Sequence, residues 1–159
     1  MANNYLKPVD IENVEAIPVG FRPYTEADRA FVLNSMLKGL YDPAYRHCSY
    51  THFTIIANVY VEKIVDKTNI LMTYDTTDPS SLYGWCSYAM WNDQLVIYWI
   101  YTKKTFRRLG LAKLLYGVVN PNNKMPIAIH WTNVMNLIMD RYPVYYNPFL
   151  AADINWSEK

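Results

Sequence analysis

The chain predicts a mixed α/β domain, a central mixed sheet with helices on both faces, and three observations lead there. From Leu95 to Tyr101 every residue is apolar or aromatic, with Leu95, Ile97, Trp99 and Tyr101 on one alternating set and Val96, Tyr98 and Ile100 on the other. A strand apolar on both faces belongs inside a sheet that is covered on both sides. After a short basic turn with one glycine, Leu111, Leu114, Leu115, Val118 and Val119 recur at helical spacing, with Lys113 off the stripe. Finally, 159 residues, 52% of them hydrophobic, suit one compact domain over 1–159. Residues 1–12 and 157–159 are expected to be loose ends.

The elements follow in order. Ala16 to Arg22 predicts a first strand. Thr25 and Asp28 form a capping box that opens a helix through Lys38, with Ala27, Ala30 or Phe31, Leu37 and Leu40 on its stripe. An aromatic-rich loop, Tyr41 to His47, leads to a second helix from Thr51 to Asp66 with Phe53, Ile56, Ala57, Tyr60 and Ile64 on one side. Ile70 to Tyr74 reads as a strand and Asp75 to Ser81 as a turn-rich connection. Leu82 to Met90 pairs with that strand or with the buried one, and Asn92-Asp93 makes the turn between them. Asn120-Pro121-Asn122-Asn123 stops the helix after the basic turn. Ile127 to Trp131 is a short strand, and Val134 to Arg141 a helix ended by Pro143. Val144 to Ile154 is expected to be extended, with Pro148 keeping part of it out of a central strand.

Composition narrows the function. A net charge of +1 argues against a general nucleic-acid coat or a polybasic membrane binder. No apolar run approaches membrane-spanning length and Met1 to Asp10 lacks a signal-peptide pattern, so a cytoplasmic location is expected. Cys48 and Cys86 make neither a metal spacing nor a disulfide framework; two reduced thiols and no metal site are expected.

The turn carries the chemistry. Arg107-x-x-Gly110-x-Ala112 sits between the buried strand and a helix start. A helix N-terminus gathers unpaired N–H donors and the positive end of the macrodipole, which suits phosphate. Glycine lets backbone approach a ligand closely. An ordinary strand–turn–helix with a solvated basic turn has the same local pattern.

The longer string from Ile100 to Leu115, IYTKKTFRRLGLAKLL, resembles the acyl-CoA motif of the GNAT superfamily of N-acetyltransferases. Phe106 supplies the aromatic before the signature, and Arg107, Gly110 and Ala112 fill its three positions. The succession of strand, two helices, three strands, helix, strand, helix, strand is the order of that family. Tyr101-Thr102-Lys103, His130-Trp131-Thr132 and Tyr146-Asn147-Pro148-Phe149 also look like small GNAT-type proteins of phages and prophages.

The resemblance implies acetyl-CoA as acyl donor, held in a cleft between parallel strands ending near Tyr101 and Trp131. Backbone groups of Ile100, Tyr101 and Thr102 would bind the pantetheine arm. The turn of Arg107, Arg108, Leu109, Gly110, Leu111 and Ala112 would wrap the pyrophosphate, with Lys103, Lys104, Arg108 and Lys113 available to neutralise charge. In the family a tyrosine acid often follows, by seven residues, an asparagine at the end of the fifth strand. Asn133 fits the asparagine, but seven residues on stands Asp140, and Tyr142 is two further. The expected acid is therefore either displaced, with Tyr142 the candidate, or absent.

His130, at the end of the strand bordering the cleft, is a second candidate for proton handling, or else a hydrogen-bonded core histidine. Arg46 and His47 lie in the loop that commonly shapes the acceptor site in this family. His52 begins a helix and Asp93 sits in a turn, which explains both adequately. Tyr83, Trp85, Tyr88, Trp91, Tyr98, Trp99 and Trp131 fall on strands, where aromatics pack well; some are candidates to line a pocket for a flat or apolar amine.

Two functions remain. One is an acyl-CoA-dependent N-acyltransferase moving an acetyl group directly to an amine acceptor on a small molecule, protein or nucleobase. The other is a non-catalytic GNAT-fold phage protein, a virion component or a module binding a host protein. A homodimer is compatible with either. An open groove from Gly110 to His130 favours the enzyme; one filled by Trp99, Tyr101 and Trp131 excludes it.

Overall fold

The structure, a computed structural model, describes residues 17–41 and 45–153. The expected loose ends, Ala16 and Ile154 lie outside the described residues. The strands are β1 (Val19–Pro23), β2 (Asn69–Asp75), β3 (Leu82–Trp91), β4 (Gln94–Thr102), β5 (Ile127–Ala128) and β6 (Tyr145–Tyr146). The helices are α1 (Arg29–Tyr41), α2 (Tyr50–Lys67), α3 (Leu111–Val119), α4 (Asn133–Met139) and α5 (Leu150–Asp153). One sheet holds all six strands in chain order, antiparallel from β1 to β4 and parallel from β4 to β6.

The change of direction at β4 follows from what links the strands. Asn92 and Asp93, both with positive φ, close β3 onto β4 as a tight hairpin, a turn these residue types accept. A parallel neighbour needs a crossover, and α3 and α4 supply the two that lead to β5 and β6. Asn120 ends α3: its side chain donates to Tyr116 Oη and Lys124 C=O, and its Oδ1 accepts the Lys124 N–H.

Two apolar clusters cover the two faces of the sheet. On one, Val32 and Met36 of α1 and Phe53, Val61 and Ile64 of α2 pack with Trp85, Val96, Tyr98 and Trp99. On the other, Leu115 and Tyr116 of α3 and Met135 and Ile138 of α4 pack with Leu95, Ile97 and Ile100. An Arg29–Asp66 ion pair at 2.8 Å ties α1 to α2. The box before α1 forms as expected, the Asp28 carboxylate accepting the Thr25 N–H at 2.9 Å and the Arg22 guanidinium at 2.7 Å.

Several expectations are corrected. Helix α1 runs on to Tyr41 and buries Val32, Ser35 and Met36, whereas Ala27 and Ala30 are exposed. Helix α2 turns Phe53, Val61, Ile64 and Val65 inward, leaving Ile56 exposed. Val118 of α3 is also exposed. In each case the helix meets the sheet along a stripe rotated from the one the sequence suggests. Strand β5 stops at Ala128, short of Trp131. The tail is extended only at β6, after which α5 buries Leu150 in the first cluster.

Gly84 of β3 pairs with Thr102, and a Cβ there would fall on the Tyr101 carbonyl oxygen. The obstacle is backbone, so it yields only if β3 and β4 separate. Gly84→Ala should therefore lower stability by about 2 kcal/mol, read as a shift of the urea midpoint at unchanged slope.

Candidate active site

Strand β4 carries one more residue than its partner. Ser87 faces Trp99 and Tyr88 faces Ile97, so Tyr98 has no opposite number on β3. Such a bulge puts two consecutive side chains on one face. Tyr98 and Trp99 accordingly both join the α1/α2 cluster, together with Val96 and Tyr101, while Ile97 and Ile100 face α3 and α4.

On its other side β4 loses its neighbour at the same point. Strand β5 pairs only Val96 with Ile127 and Ile97 with Ala128, and a last bond runs from Ile129 N–H to Ile97 C=O. Next in line, His130 Nδ1 lies 2.7 Å from Tyr98 C=O. A carbonyl only accepts, so Nδ1 carries the proton. Beyond this apex, among the described residues, no strand flanks the β4 edge from Trp99 to Thr102. The two strands form a fork with an imidazole at its apex.

The other ring nitrogen meets α2. Nε2 is 2.8 Å from Tyr60 Oη, and since Nε2 is unprotonated in this tautomer, Tyr60 donates to it. Burial lowers the His130 pKa against the opposing pull of its Tyr98 hydrogen bond, and burial raises that of Tyr60. The pair is thus a neutral imidazole and a neutral phenol. Trp99 packs edge-on against the imidazole with centroids 5.3 Å apart. Gly39 of α1 makes room for the Trp99 indole, since a Cβ there would lie 2.6 Å from it.

The basic turn closes the far end of the open edge. Phe106 packs against Tyr83 with ring centroids 4.4 Å apart and planes inclined at 51°, and Arg107 Nε donates to Thr102 C=O at 3.2 Å, so Arg107 braces the turn. Arg108 and Gly110 both have positive φ, 69° and 80°. Gly110 opens α3 with no side-chain cap, and the Leu114 N–H is the first to bond back, to Gly110 C=O at 3.0 Å. The Leu111 and Ala112 N–H groups point ahead of the helix, as the first N–H groups of any helix do. Leu109, Arg108 and Gly110 are exposed and Lys113 is half-buried. Thr102 Oγ1, at the end of the open edge, is buried without a hydrogen-bond partner. An edge with no flanking strand among the described residues, an uncapped helix start and an orphaned hydroxyl fit an elongated ligand ending in phosphate, as acyl-CoA does.

The two catalytic candidates are not brought together. His130 stands at the apex against Tyr60 and Trp99, whereas Tyr142 stacks on Tyr116 at 5.2 Å in the cluster on the opposite face. Asn133 is exposed at the start of α4, where Thr132 supplies the cap by accepting the Met135 N–H. Arg46 and His47 are exposed. Trp99 and Tyr101 direct their rings to the α1/α2 face, and Trp131 is exposed beside Tyr146. Sequence reasoning missed Tyr60 as a polar partner, because on α2 it reads as one more residue of an apolar stripe.

A cavity of about 480 Å³ adjoins the apex on the α2 side, lined by Tyr45, Cys48, Phe53, Ile56, Tyr60 and His130 among others. Cys48 and Cys86 are free thiols. Among the described residues no helix is long and apolar enough to cross a membrane.

No protein-family model matches the sequence, and no curated protein matches it. Solved structures do match. The chain is similar to a structure from Corynebacterium glutamicum described as histone acetyltransferase HPA2 and related acetyltransferase, at 12% identity over 79% of this chain and 83% of that one, with a TM-score of 0.56. It is similar also to a GCN5-related N-acetyltransferase structure from Rhodopseudomonas palustris, at 13% identity over 79% and 81% of the two chains, with a TM-score of 0.54. The fold is that of the GNAT acetyltransferases. At such identities the likeness concerns the GNAT fold and does not extend to substrate or activity.

His130→Leu should cost about 1–3 kcal/mol at pH 8, because Tyr60 Oη and Tyr98 C=O lose their partner. The native pKa is below the unfolded value of about 6.5, so the unfolded chain takes up the proton first as pH falls. Wild-type stability therefore contains a His130 contribution that declines below about pH 6.5. The gap between wild type and variant should narrow on acidification, measured by urea titration at each pH.

Proposed function

We propose that the protein is an acyl-CoA-dependent N-acyltransferase that passes an acetyl group from acetyl-CoA directly to an amine. The observation that carries this reading is the fork between β4 and β5, with the Gly110 turn at its far end and the Tyr60–His130 pair at its apex. The GNAT fold supports it.

Acetyl-CoA, when bound, supplies an activated acyl group. Backbone groups of Ile100, Tyr101 and Thr102 would hold its arm along the open edge, and the Leu111 and Ala112 N–H groups at the start of α3 would receive phosphate, with Arg108 alongside. The attacking amine must lose a proton as its new bond forms. Tyr60 Oη would take that proton while passing its own to His130 Nε2, with the Tyr98 carbonyl steadying the imidazolium at Nδ1. As the C–S bond breaks, the pair would return a proton through Tyr60 Oη to the departing thiolate and end as it began. Tyr142, against Tyr116 on the opposite face of the sheet, takes no part in this path.

A second reading, a non-catalytic GNAT-fold module working in a phage virion or on a host protein, draws on two observations. Tyr142 is engaged with Tyr116, and Trp131, Tyr145, Tyr146 and Phe149 are aromatic residues exposed at the surface in and around β6. That surface would also serve a homodimer.

Calorimetric titration with acetyl-CoA, with desulfo-CoA and an adenine nucleotide as controls, separates the readings. Binding should weaken by about tenfold or more (roughly 1.4 kcal/mol) in Gly110→Trp, since a side chain at φ 80° both strains the turn and obstructs the cradle. Absence of binding by the folded wild type removes the enzyme reading. Tyr60→Phe should slow turnover while leaving acetyl-CoA affinity in place; unchanged turnover would take Tyr60 out of the proton path.

A further inference from the structure

The cavity beside α2 and the fork share one side chain. His130 bonds the fork backbone through Nδ1 and the cavity residue Tyr60 through Nε2. Whatever occupies the cavity therefore lies next to the point where an acyl group held along the β4 edge would end. Resting on the acyl-transfer reading above, we propose that this cavity is the acceptor site and that it takes a primary amine on a compact apolar or aromatic body, in preference to a polycation or a lysine-bearing peptide.

The lining argues for that class. Its walls are Leu40, Tyr45, Phe53, Ile56 and Ala57, with Cys48 and His52, and among the described residues no carboxylate and no permanent cation faces it. A polyamine has several charges to desolvate and would find no counter-charge among the described residues of the lining; removing an ionised group from water unpaired is heavily disfavoured. An amine with an apolar body buries that body against the walls, and its nitrogen meets a defined polar floor. Tyr60 spends its proton on His130 Nε2, so the lone pairs of its oxygen are left to accept an amine N–H. The Tyr45 and Phe53 rings, 5.1 Å apart and inclined at 37°, offer aromatic surface for a flat substituent. A volume of about 480 Å³ is that of a small-molecule site.

The test compares 2-phenylethylamine, spermidine and a lysine-bearing peptide as acceptors, following thiol release from acetyl-CoA by the full chain at fixed pH. Alongside, calorimetry records binding of 2-phenylethylamine itself and of acetyl-CoA. The expected result is a kcat/KM for 2-phenylethylamine about tenfold or more above the other two. Ala57→Leu, which shrinks the cavity, should raise KM for 2-phenylethylamine and leave acetyl-CoA affinity unchanged. Ile56→Glu, at an exposed rim position, should narrow the preference by favouring spermidine. Faster transfer to spermidine or the peptide by wild type overturns the proposal and leaves the acyl-transfer reading standing. If acetyl-CoA neither binds nor releases thiol with any amine, that reading falls, and direct binding decides the cavity. Binding of 2-phenylethylamine that Ala57→Leu weakens supports the amine site; no binding overturns it.

Discussion

The hydrogen bond from His130 Nδ1 to Tyr98 C=O is the contact on which the site depends. Strand β4 is buried on both faces, so each of its backbone groups needs a partner from a neighbouring strand or some substitute. At Val96 and Ile97 the partners are ladders on both sides. At Tyr98 the register with β3 shifts and β5 has ended. A buried carbonyl left there would cost about 1–3 kcal/mol. The imidazole takes the place of the missing strand and allows β4 and β5 to part without leaving that group bare.

The bulge has a second consequence. By turning Tyr98 and Trp99 to the same face it reverses the phase of the rest of β4, so that Tyr101 joins the α1/α2 cluster and Ile100 the α3 side. An indole is a large group to fit at a bulge, and α1 yields with Gly39 where any side chain would strike Trp99. Ser35 of the same helix accepts from Trp85 Nε1 at 2.8 Å, giving a second aromatic residue of the sheet its polar partner. Helix α1 thus supports the fork from behind, while α2 reaches it through Tyr60.

What the sequence reveals of this arrangement depends on how local the cause is. The two-sided apolar run, the Asn92-Asp93 turn, the Thr25–Asp28 box and the Gly110 turn are each written in a few adjacent residues, and each forms where the sequence places it. The order of elements follows from them. The faces of α1 and α2 are less legible, because an apolar residue such as Ile56 on a helix already rich in apolar positions gives no sign of which stripe meets the sheet. The bulge is not legible at all. Trp99 sits on the wrong alternating set in any strictly two-residue repeat, and only the pairing of β3 with β4 shows that it has changed sides. The Tyr60–His130 bond joins residues 70 positions apart and has no local signature.

This difference also separates the two halves of the site. A cradle for phosphate is made of backbone N–H groups at a helix start, so a glycine at the right place in a turn is enough to announce it. The proposed acceptor site is made of side chains from α2, the α1–α2 connection and the segment after β5, which meet only in the folded chain. His130 belongs to both halves, and its fixed tautomer decides its part. With Nδ1 committed to the Tyr98 carbonyl, Nε2 is the only basic atom of the ring, and Tyr60 covers it. Under the proposed reading, a proton leaving an amine in the cavity would reach His130 through the Tyr60 hydroxyl. A phenol held neutral by burial suits such a relay, since it donates and accepts in one step without carrying charge itself.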